Sequence, residues 1–272
     1  MSIEILHKRG KKYLQILKKS QLTIHHSLKK AFAFTLAETL IVMGIIGIVS
    51  ALTLPNLNSS TGDKEKVSKV KKIYQNLDDA FNRAVAVYGP TEDWFISGGT
   101  TEANNNRFGD RITEFMKLTK NCRYVRSSGS CWTKSTTKYI GGSDWSDLGA
   151  NDYYKFISAD GTAYALVVGV TDSKYSSLNI YFDVDGVSKG KNTLGKDIFS
   201  VWYSVSGKEF KPAGVVGDND NFKNNCLAAT AGGSCAAWVI YNENMDYLKA
   251  GTDGKCNNSS IVLNWTTNTT CK

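Results

Sequence analysis

Three aspartates in the second half of the chain have side chains that could bind a metal ion. Asp183 and Asp185 alternate with Val184 before Gly186, and Asp197 follows a segment rich in glycine and lysine. Carboxylate oxygens are ligands that calcium prefers, and glycine permits a sharp turn around the ion. The EF-hand pattern is not met, because the glutamate at its twelfth position is missing. We therefore expect a solvated turn and no cofactor, with a calcium site as the alternative.

The cysteines could form disulfides or hold a metal. All six lie between residues 122 and 271: Cys122, Cys131, Cys226, Cys235, Cys256 and Cys271. An even number confined to one region is typical of disulfides formed outside a reducing cytoplasm. Zinc is disfavoured because its C-x₂-C spacing is absent. Pairing each cysteine with its nearest neighbour gives short loops, and is one of the 15 connectivities that six cysteines allow.

Side chains for nucleophilic catalysis are not arranged at a recognisable spacing. The three histidines, His7, His25 and His26, all lie before residue 34. If that stretch is removed, Ser-His and Cys-His nucleophiles and histidine-ligated zinc are excluded. The sequence also lacks a phosphate-binding glycine loop, a nucleophile elbow and a recognisable pair of catalytic carboxylates. We therefore predict no catalytic residues and no enzymatic activity.

Aromatic residues of the C-terminal tail could bind a ligand if they are exposed. They are Trp238, Tyr241, Tyr247 and Trp265. Large aromatic side chains are more often packed into a core, so we expect packing here.

The net charge of +8 is concentrated at the N-terminus. Residues 1–33 contain eight basic side chains against Glu4 alone, which leaves residues 34–272 near +1. A nucleic-acid interface needs clustered lysine and arginine on the folded surface, and the remainder of the chain has no large excess to supply it.

Glu38 is the one charged residue in the apolar segment from Phe34 to Leu57. A segment of this length can span a bilayer, and the basic residues before it place the N-terminus in the cytoplasm. An ionisable group inside the bilayer costs several kcal/mol unless it has a partner. Cleavage before Phe34 creates an α-amino group that can pair with the Glu38 carboxylate of a neighbouring subunit in a filament.

Two other interpretations of the apolar segment remain open. A secretory signal peptide would be cut near Val49-Ser50-Ala51, whose small residues fit such a site loosely. An uncleaved signal anchor would keep the whole chain. Neither one needs an acidic residue at position 38, so both are less favoured than cleavage before Phe34.

The residues A-F-T-L-A-E-T-L-I-V-M-G-I-I-G-I-V-S-A-L, which begin at Ala33, resemble the cleavage and methylation motif of type IV pilins and type II secretion pseudopilins. The resemblance implies that prepilin peptidase cuts after Ala33 and methylates Phe34. It also implies that Glu38 pairs with a neighbour during assembly and that Pro55 kinks the helix. The family usually has glycine before the cut, and the leader is longer here than in many members.

The resemblance implies a structural subunit of a type IV pilus or a type II secretion pseudopilus. The implied partners are prepilin peptidase, other pilin or pseudopilin subunits, the inner-membrane assembly platform and, before assembly, membrane lipid. The implied location is the bacterial inner membrane, as a single-pass protein with its C-terminal domain outside the cytoplasm, and then the filament. The alternative is a minor pilin whose head binds a surface or DNA. Some pseudopilins also hold calcium in a loop near the end of the sheet.

Helix and strand patterns continue beyond the apolar segment. Apolar residues recur at three- and four-residue steps from Val67 to Tyr88, which predicts an amphipathic helix that ends at Gly89-Pro90. The region that follows is rich in Gly, Asn, Ser and Thr, with a short helical pattern at Arg111 to Lys120. Four segments rich in Tyr, Phe, Val and Ile predict antiparallel strands, with a hairpin at Asp160-Gly161. The predicted strands are 152–158, 163–170, 178–183 and 198–205.

These patterns predict an α+β fold in which a long N-terminal membrane-spanning helix packs on a small antiparallel β-sheet head that disulfides stabilise. The expected segments are a basic cytoplasmic leader at 1–33 that is removed, a transmembrane or filament-core helix at 34–57, its amphipathic continuation at 58–89, a variable connecting region at 90–150, an antiparallel sheet at 151–207 and a cysteine-containing C-terminal region at 208–272.

Overall fold

The computed structural model of the protein describes residues 35–126, 129, 131–133, 136–146, 148–149, 152–190, 192–205, 208–215, 222–227, 231–257 and 259–272, with backbone alone at 51–61 and 146. The leader and the predicted cleavage site at Ala33 and Phe34 lie outside the described residues. The chain divides into one compact unit that ends at Pro55 and a second from Asn56 to Lys272.

Helix α1, Leu36–Tyr88, has 53 residues. Its backbone is helical through Pro55, where the resemblance implies a kink, and through the polar stretch 56–63. Within the second unit its buried side chains follow three- and four-residue steps: Val67, Val70, Ile73, Leu77, Ala80, Phe81 and Ala84. This spacing confirms the predicted amphipathic helix, because such positions share one helical face. The helix ends at Tyr88, and Gly89 follows it in the left-handed region with φ +77°.

The fold prediction of a membrane-spanning helix is wrong. No helix in the described part of the chain is both long and apolar enough to cross a membrane. A spanning helix needs about 20 consecutive apolar residues. The apolar side chains described at the start of α1 extend only to residue 50, and from residue 62 onwards the helix alternates buried and exposed positions.

The sheet has six antiparallel strands in the order β1-β4-β5-β6-β7-β8, and β2 pairs with β3 in a separate hairpin. The strands are β1 Leu118–Val125, β2 Thr137–Lys138, β3 Asp144–Ser146, β4 Tyr153–Ser158, β5 Ala163–Thr171, β6 Lys174–Asp183, β7 Ile198–Ser204 and β8 Glu209–Pro212. The four predicted strands correspond to β4 to β7, and the predicted turn at Gly161 joins β4 to β5. The sheet is larger than predicted, because β1 and β8 extend it beyond residues 151–207 on both sides.

The connecting region contains regular structure that we did not predict. Helix α2, Thr101–Thr113, begins after Thr100, whose hydroxyl accepts a hydrogen bond from the Ala103 N–H at 3.1 Å. The helical pattern predicted at Arg111 to Lys120 is therefore wrong over most of its length, since β1 begins at Leu118. Burial of Phe108 and Ile112, which are four residues apart, holds α2 in place despite its asparagine-rich sequence.

After β8, the described part of the C-terminal region contains short helical elements. They are a π-helix at Lys223–Leu227, helix α3 at Ala236–Asn242 and a 3₁₀-helix at Asp246–Lys249; another 3₁₀-helix, Thr91–Trp94, follows α1. Three disulfides join Cys122 to Cys131, Cys226 to Cys235 and Cys256 to Cys271, as nearest-neighbour pairing predicts.

Aromatic side chains form much of the core. Phe156, Tyr164, Phe182 and Phe199 stand directly opposite one another on β4, β5, β6 and β7, with neighbouring ring centroids 4.6 to 6.4 Å apart. Cross-strand aromatic pairs of this kind stabilise a sheet and fix its register. Phe81 of α1 stacks on Phe210 of β8 at 4.8 Å and thereby joins helix and sheet in the second unit.

Candidate functional site

Glu38 takes part in a capping box at the start of α1. The Thr35 N–H donates to Glu38 Oε2 at 2.8 Å, and the Glu38 N–H donates to Thr35 Oγ1 at 3.2 Å. This reciprocal pattern satisfies donors that the first turn of a helix leaves unpaired. Glu38 therefore has a structural role within a single chain, in addition to the assembly role that the sequence predicts.

The helix that follows Glu38 is apolar on every side. The large apolar side chains from Leu36 to Val49 are each more than half exposed: Leu36, Leu40, Ile41, Val42, Met43, Ile45, Ile46, Ile48 and Val49. Consecutive positions 40–43 point in all directions around the helix axis, so no face is polar. An exposed apolar surface of this extent marks a site where something else must pack.

The predicted aspartates meet at the closure of the β6–β7 loop, which we define as residues 183–197. Asp183 ends β6 and Asp197 directly precedes β7, and the Val184 N–H donates to the Asp197 carbonyl at 2.9 Å. Asp183 Oδ1 accepts from the N–H groups of Asp185 and Gly186 at 3.0 and 3.2 Å. Asp183 is 1% exposed, and its Oδ2 has no hydrogen-bond partner among the described residues. The expected solvated turn is therefore wrong at Asp183 and Asp197, which are both buried.

Burial changes how these carboxyl groups titrate. The pKa of Asp183 is raised to about 8, chiefly by burial and also by the neighbouring Asp197 and Asp185, although two backbone N–H donors lower it. Burial also raises the pKa of Asp197, whereas hydrogen bonding from the Thr193 N–H and the charge of Lys66 lower it. Asp183 is consequently protonated at neutral pH.

A lysine from α1 lies against the same loop. Lys66 Nζ is 3.3 Å from Asp185 Oδ2 and donates a hydrogen bond to the Lys196 carbonyl at 3.2 Å. Gly190, in the same loop, has its backbone in the left-handed region, with φ +81°. A Cβ at position 190 would lie 2.8 Å from Asp197 Oδ2, so only glycine allows the loop to close this tightly.

The arrangement does not fit a calcium site built from these three carboxylates. Within the part of the chain that the structure describes, no group of three or more His, Cys, Asp or Glu side chains is placed to hold a metal ion. A cation, the Lys66 ammonium, already contacts the Asp185 carboxylate. Sequence reasoning missed Lys66, because 130 residues separate it from Lys196. The residues around Lys66 have the pattern of an ordinary charged helix face.

The aromatic residues of the tail are mostly packed, as expected. Trp238 and Tyr247 are buried, Trp265 is half-buried against Trp238, and Tyr241 is exposed. Trp238 stacks on Phe222 with ring centroids 4.3 Å apart. The Tyr247 hydroxyl donates to the Gly195 carbonyl at 2.6 Å, which ties the C-terminal region to the β6–β7 loop.

Comparison with protein-family models, curated proteins and solved structures finds no match to this chain.

Proposed function

We propose that the chain is a structural subunit of a type IV pilus or a type II secretion pseudopilus, cut by prepilin peptidase before Phe34 and assembled through the segment that follows. The observation that carries this proposal is the exposed apolar helix at 36–50, whose one charged side chain is Glu38 in the first turn. Copies of the same helix packed side by side in a filament core would cover this surface.

The charge of Glu38 has a specific use in such a filament. Cleavage before Phe34 leaves a positive α-amino group at the start of each subunit. Inside a packed, water-poor core, an ionised carboxylate is stable only when a cation pairs with it. Glu38 of one subunit and the new N-terminus of its neighbour supply that pair and fix the axial position of the two helices.

The disulfides support a location for the second unit. Three disulfides within residues 122–271 form and persist in an oxidising compartment. We therefore propose that residues 56–272 act outside the reducing cytoplasm, after handling by the inner-membrane assembly platform. Other pilin or pseudopilin subunits are the proposed partners in the filament.

Mass spectrometry of the mature N-terminus tests the processing step. We expect an N-methylated Phe34 in cells with an active prepilin peptidase. An intact Met1, or a start near Leu52, contradicts the proposal and indicates an anchor or a signal peptide.

The substitution Glu38→Gln tests assembly separately from folding. Glutamine serves as well as glutamate at the third position of a capping box, so the start of α1 is kept while the charge is lost. We expect incorporation into sheared filaments to fall about tenfold or more, since a charge-assisted pair contributes about 1.5 to 3 kcal/mol.

The matched control for Glu38→Gln is Glu65→Gln, which removes an exposed carboxylate of the same helix paired with Lys69. Wild-type incorporation of the Glu38→Gln variant would contradict the assembly role. The abundance of the wild-type chain in the same filaments separates a major subunit from a scarce minor pilin with a binding role.

A further inference from the structure

The β6–β7 loop brings three aspartates near one another, and a Cβ at position 190 would lie 2.8 Å from Asp197 Oδ2 and 3.6 Å from Asp185 Oδ2. Asp183 and Asp197 are buried, and Asp185 has a side chain that is 21% exposed. Asp183 is in its neutral form, so the charge to be compensated is that of Asp185 and Asp197, which repel one another and are costly to desolvate. The loop therefore needs a compensating charge in order to close.

Lys66 is placed to supply that charge. Its side chain is 27% exposed, its Nζ pairs with Asp185, and it also contacts the Lys196 carbonyl next to Asp197. The ammonium group thus lies within reach of an Asp185 carboxylate oxygen and of the Lys196 carbonyl, which are both oxygens of the loop. A divalent cation in an oxygen-lined loop would compensate the same carboxylates.

We propose that Lys66 is the built-in cation of the β6–β7 loop, so that the loop closes around an ammonium group from α1 and does not require a bound divalent metal. Since α1 supplies the charge, the same contact fastens the helix to the sheet within the second unit.

The first test is the thermal unfolding of the full-length chain in mild detergent, with chelator and with millimolar calcium chloride. We expect the wild-type Tm to be the same in both conditions. A wild-type Tm that rises in calcium and falls again on chelation overturns the proposal, because a metal ion would then be holding the loop.

The second test is substitution of the cation. We expect Lys66→Gln to lower the Tm by about 3 to 6 °C, which is the effect of losing a charged hydrogen bond in a domain of this size. The control Lys69→Gln, which breaks the exposed pair with Glu65 one turn away, should lower the Tm by less than about 2 °C. Equal losses in the two variants overturn the proposal.

The third test asks whether Lys66 and Asp185 act together. In a double-mutant cycle with Asp185→Asn, the combined Tm loss should be clearly smaller than the sum of the two single losses. Additive losses show that the two charges are independent and overturn the proposal. The Lys66→Arg variant keeps the positive charge and should have a Tm close to that of the wild type. It can be compared with the wild type even if Lys66→Gln does not fold.

Discussion

Asp183 is buried at the end of β6 and keeps one oxygen, Oδ2, without a hydrogen-bond partner among the described residues. Its other oxygen accepts two backbone N–H groups that shape the turn after β6. A neutral carboxyl group is the form that this site favours, because Asp185 and Asp197 are nearby and water is excluded. The residue thus contributes to loop geometry at the expense of stability at neutral pH.

The stability of the protein should depend on pH through Asp183. Its pKa is about 8 when folded, above the ordinary value of 3.8, so between about pH 4 and pH 8 the unfolded chain loses a proton that the folded chain keeps. The contribution of Asp183 to the free energy of unfolding therefore falls as pH rises through this window, by at most about 1.4 kcal/mol per pH unit, and levels off above pH 8.

The substitution Asp183→Asn isolates this effect, because asparagine keeps the Oδ1 acceptor and does not titrate. Urea unfolding at several pH values should show that the variant gains stability over the wild type as pH rises from 5 to 8. Asp79→Asn, at an exposed site paired with Arg83, is the control and should follow the wild-type profile. Parallel profiles for Asp183→Asn and wild type would show that the group is ionised in the fold.

At the scale of elements, two glycines in helices have opposite surroundings. Gly109 of α2 lies against β4, where an added Cβ would come within 2.3 Å of the Tyr154 ring. Gly62 of α1 has no atom within 4 Å of the same added carbon. Glycine at position 109 thus allows α2 to pack closely on the sheet, whereas glycine at position 62 only weakens its helix.

These surroundings predict opposite effects of alanine. We expect Gly109→Ala to destabilise the fold by about 1 to 3 kcal/mol through overpacking. Gly62→Ala should stabilise it by about 0.5 to 1 kcal/mol, because alanine restricts the unfolded chain and favours helix. Chemical denaturation of both variants checks the pair, and a neutral Gly109→Ala would mean that α2 can move away from β4.

The elements that the sequence predicts are those with a strong apolar pattern. The aromatic positions of β4 to β7 and the buried face of α1 are of this kind. Strand β1 has the mostly polar sequence LTKNCRYV, and it exists because it pairs with β4. Asp183, Asp185 and Asp197 made the β6–β7 loop recognisable in the sequence. The cation of the loop was not recognisable, since Lys66 reaches the loop only through the packing of α1 on the sheet.

At the scale of the whole molecule, the C-terminal region depends on covalent and polar links more than on regular structure. The Cys256–Cys271 disulfide closes its last loop, with a sequence separation of 15. Asp246 lies against the same closure, where its Oδ2 accepts from the Cys271 N–H at 2.8 Å. Tyr247, the next residue, donates a hydrogen bond to the β6–β7 loop. The C-terminal region and this loop are therefore directly linked within the second unit.

Loss of this disulfide should therefore destabilise residues outside the C-terminal region as well. We expect the double substitution Cys256→Ser and Cys271→Ser to lower the free energy of unfolding by about 3 kcal/mol, because the unfolded chain gains the freedom of a loop of this size. Hydrogen exchange should also show faster exchange at Val184, whose N–H bridges the β6–β7 loop closure. The N–H of Tyr124 in β1 is the internal control, since β1 lies at the far edge of the sheet from β7 and β8. If exchange at Val184 rises no more than exchange at Tyr124, the C-terminal region is not specifically coupled to the β6–β7 loop, and the Tyr247 contact does not transmit its stability.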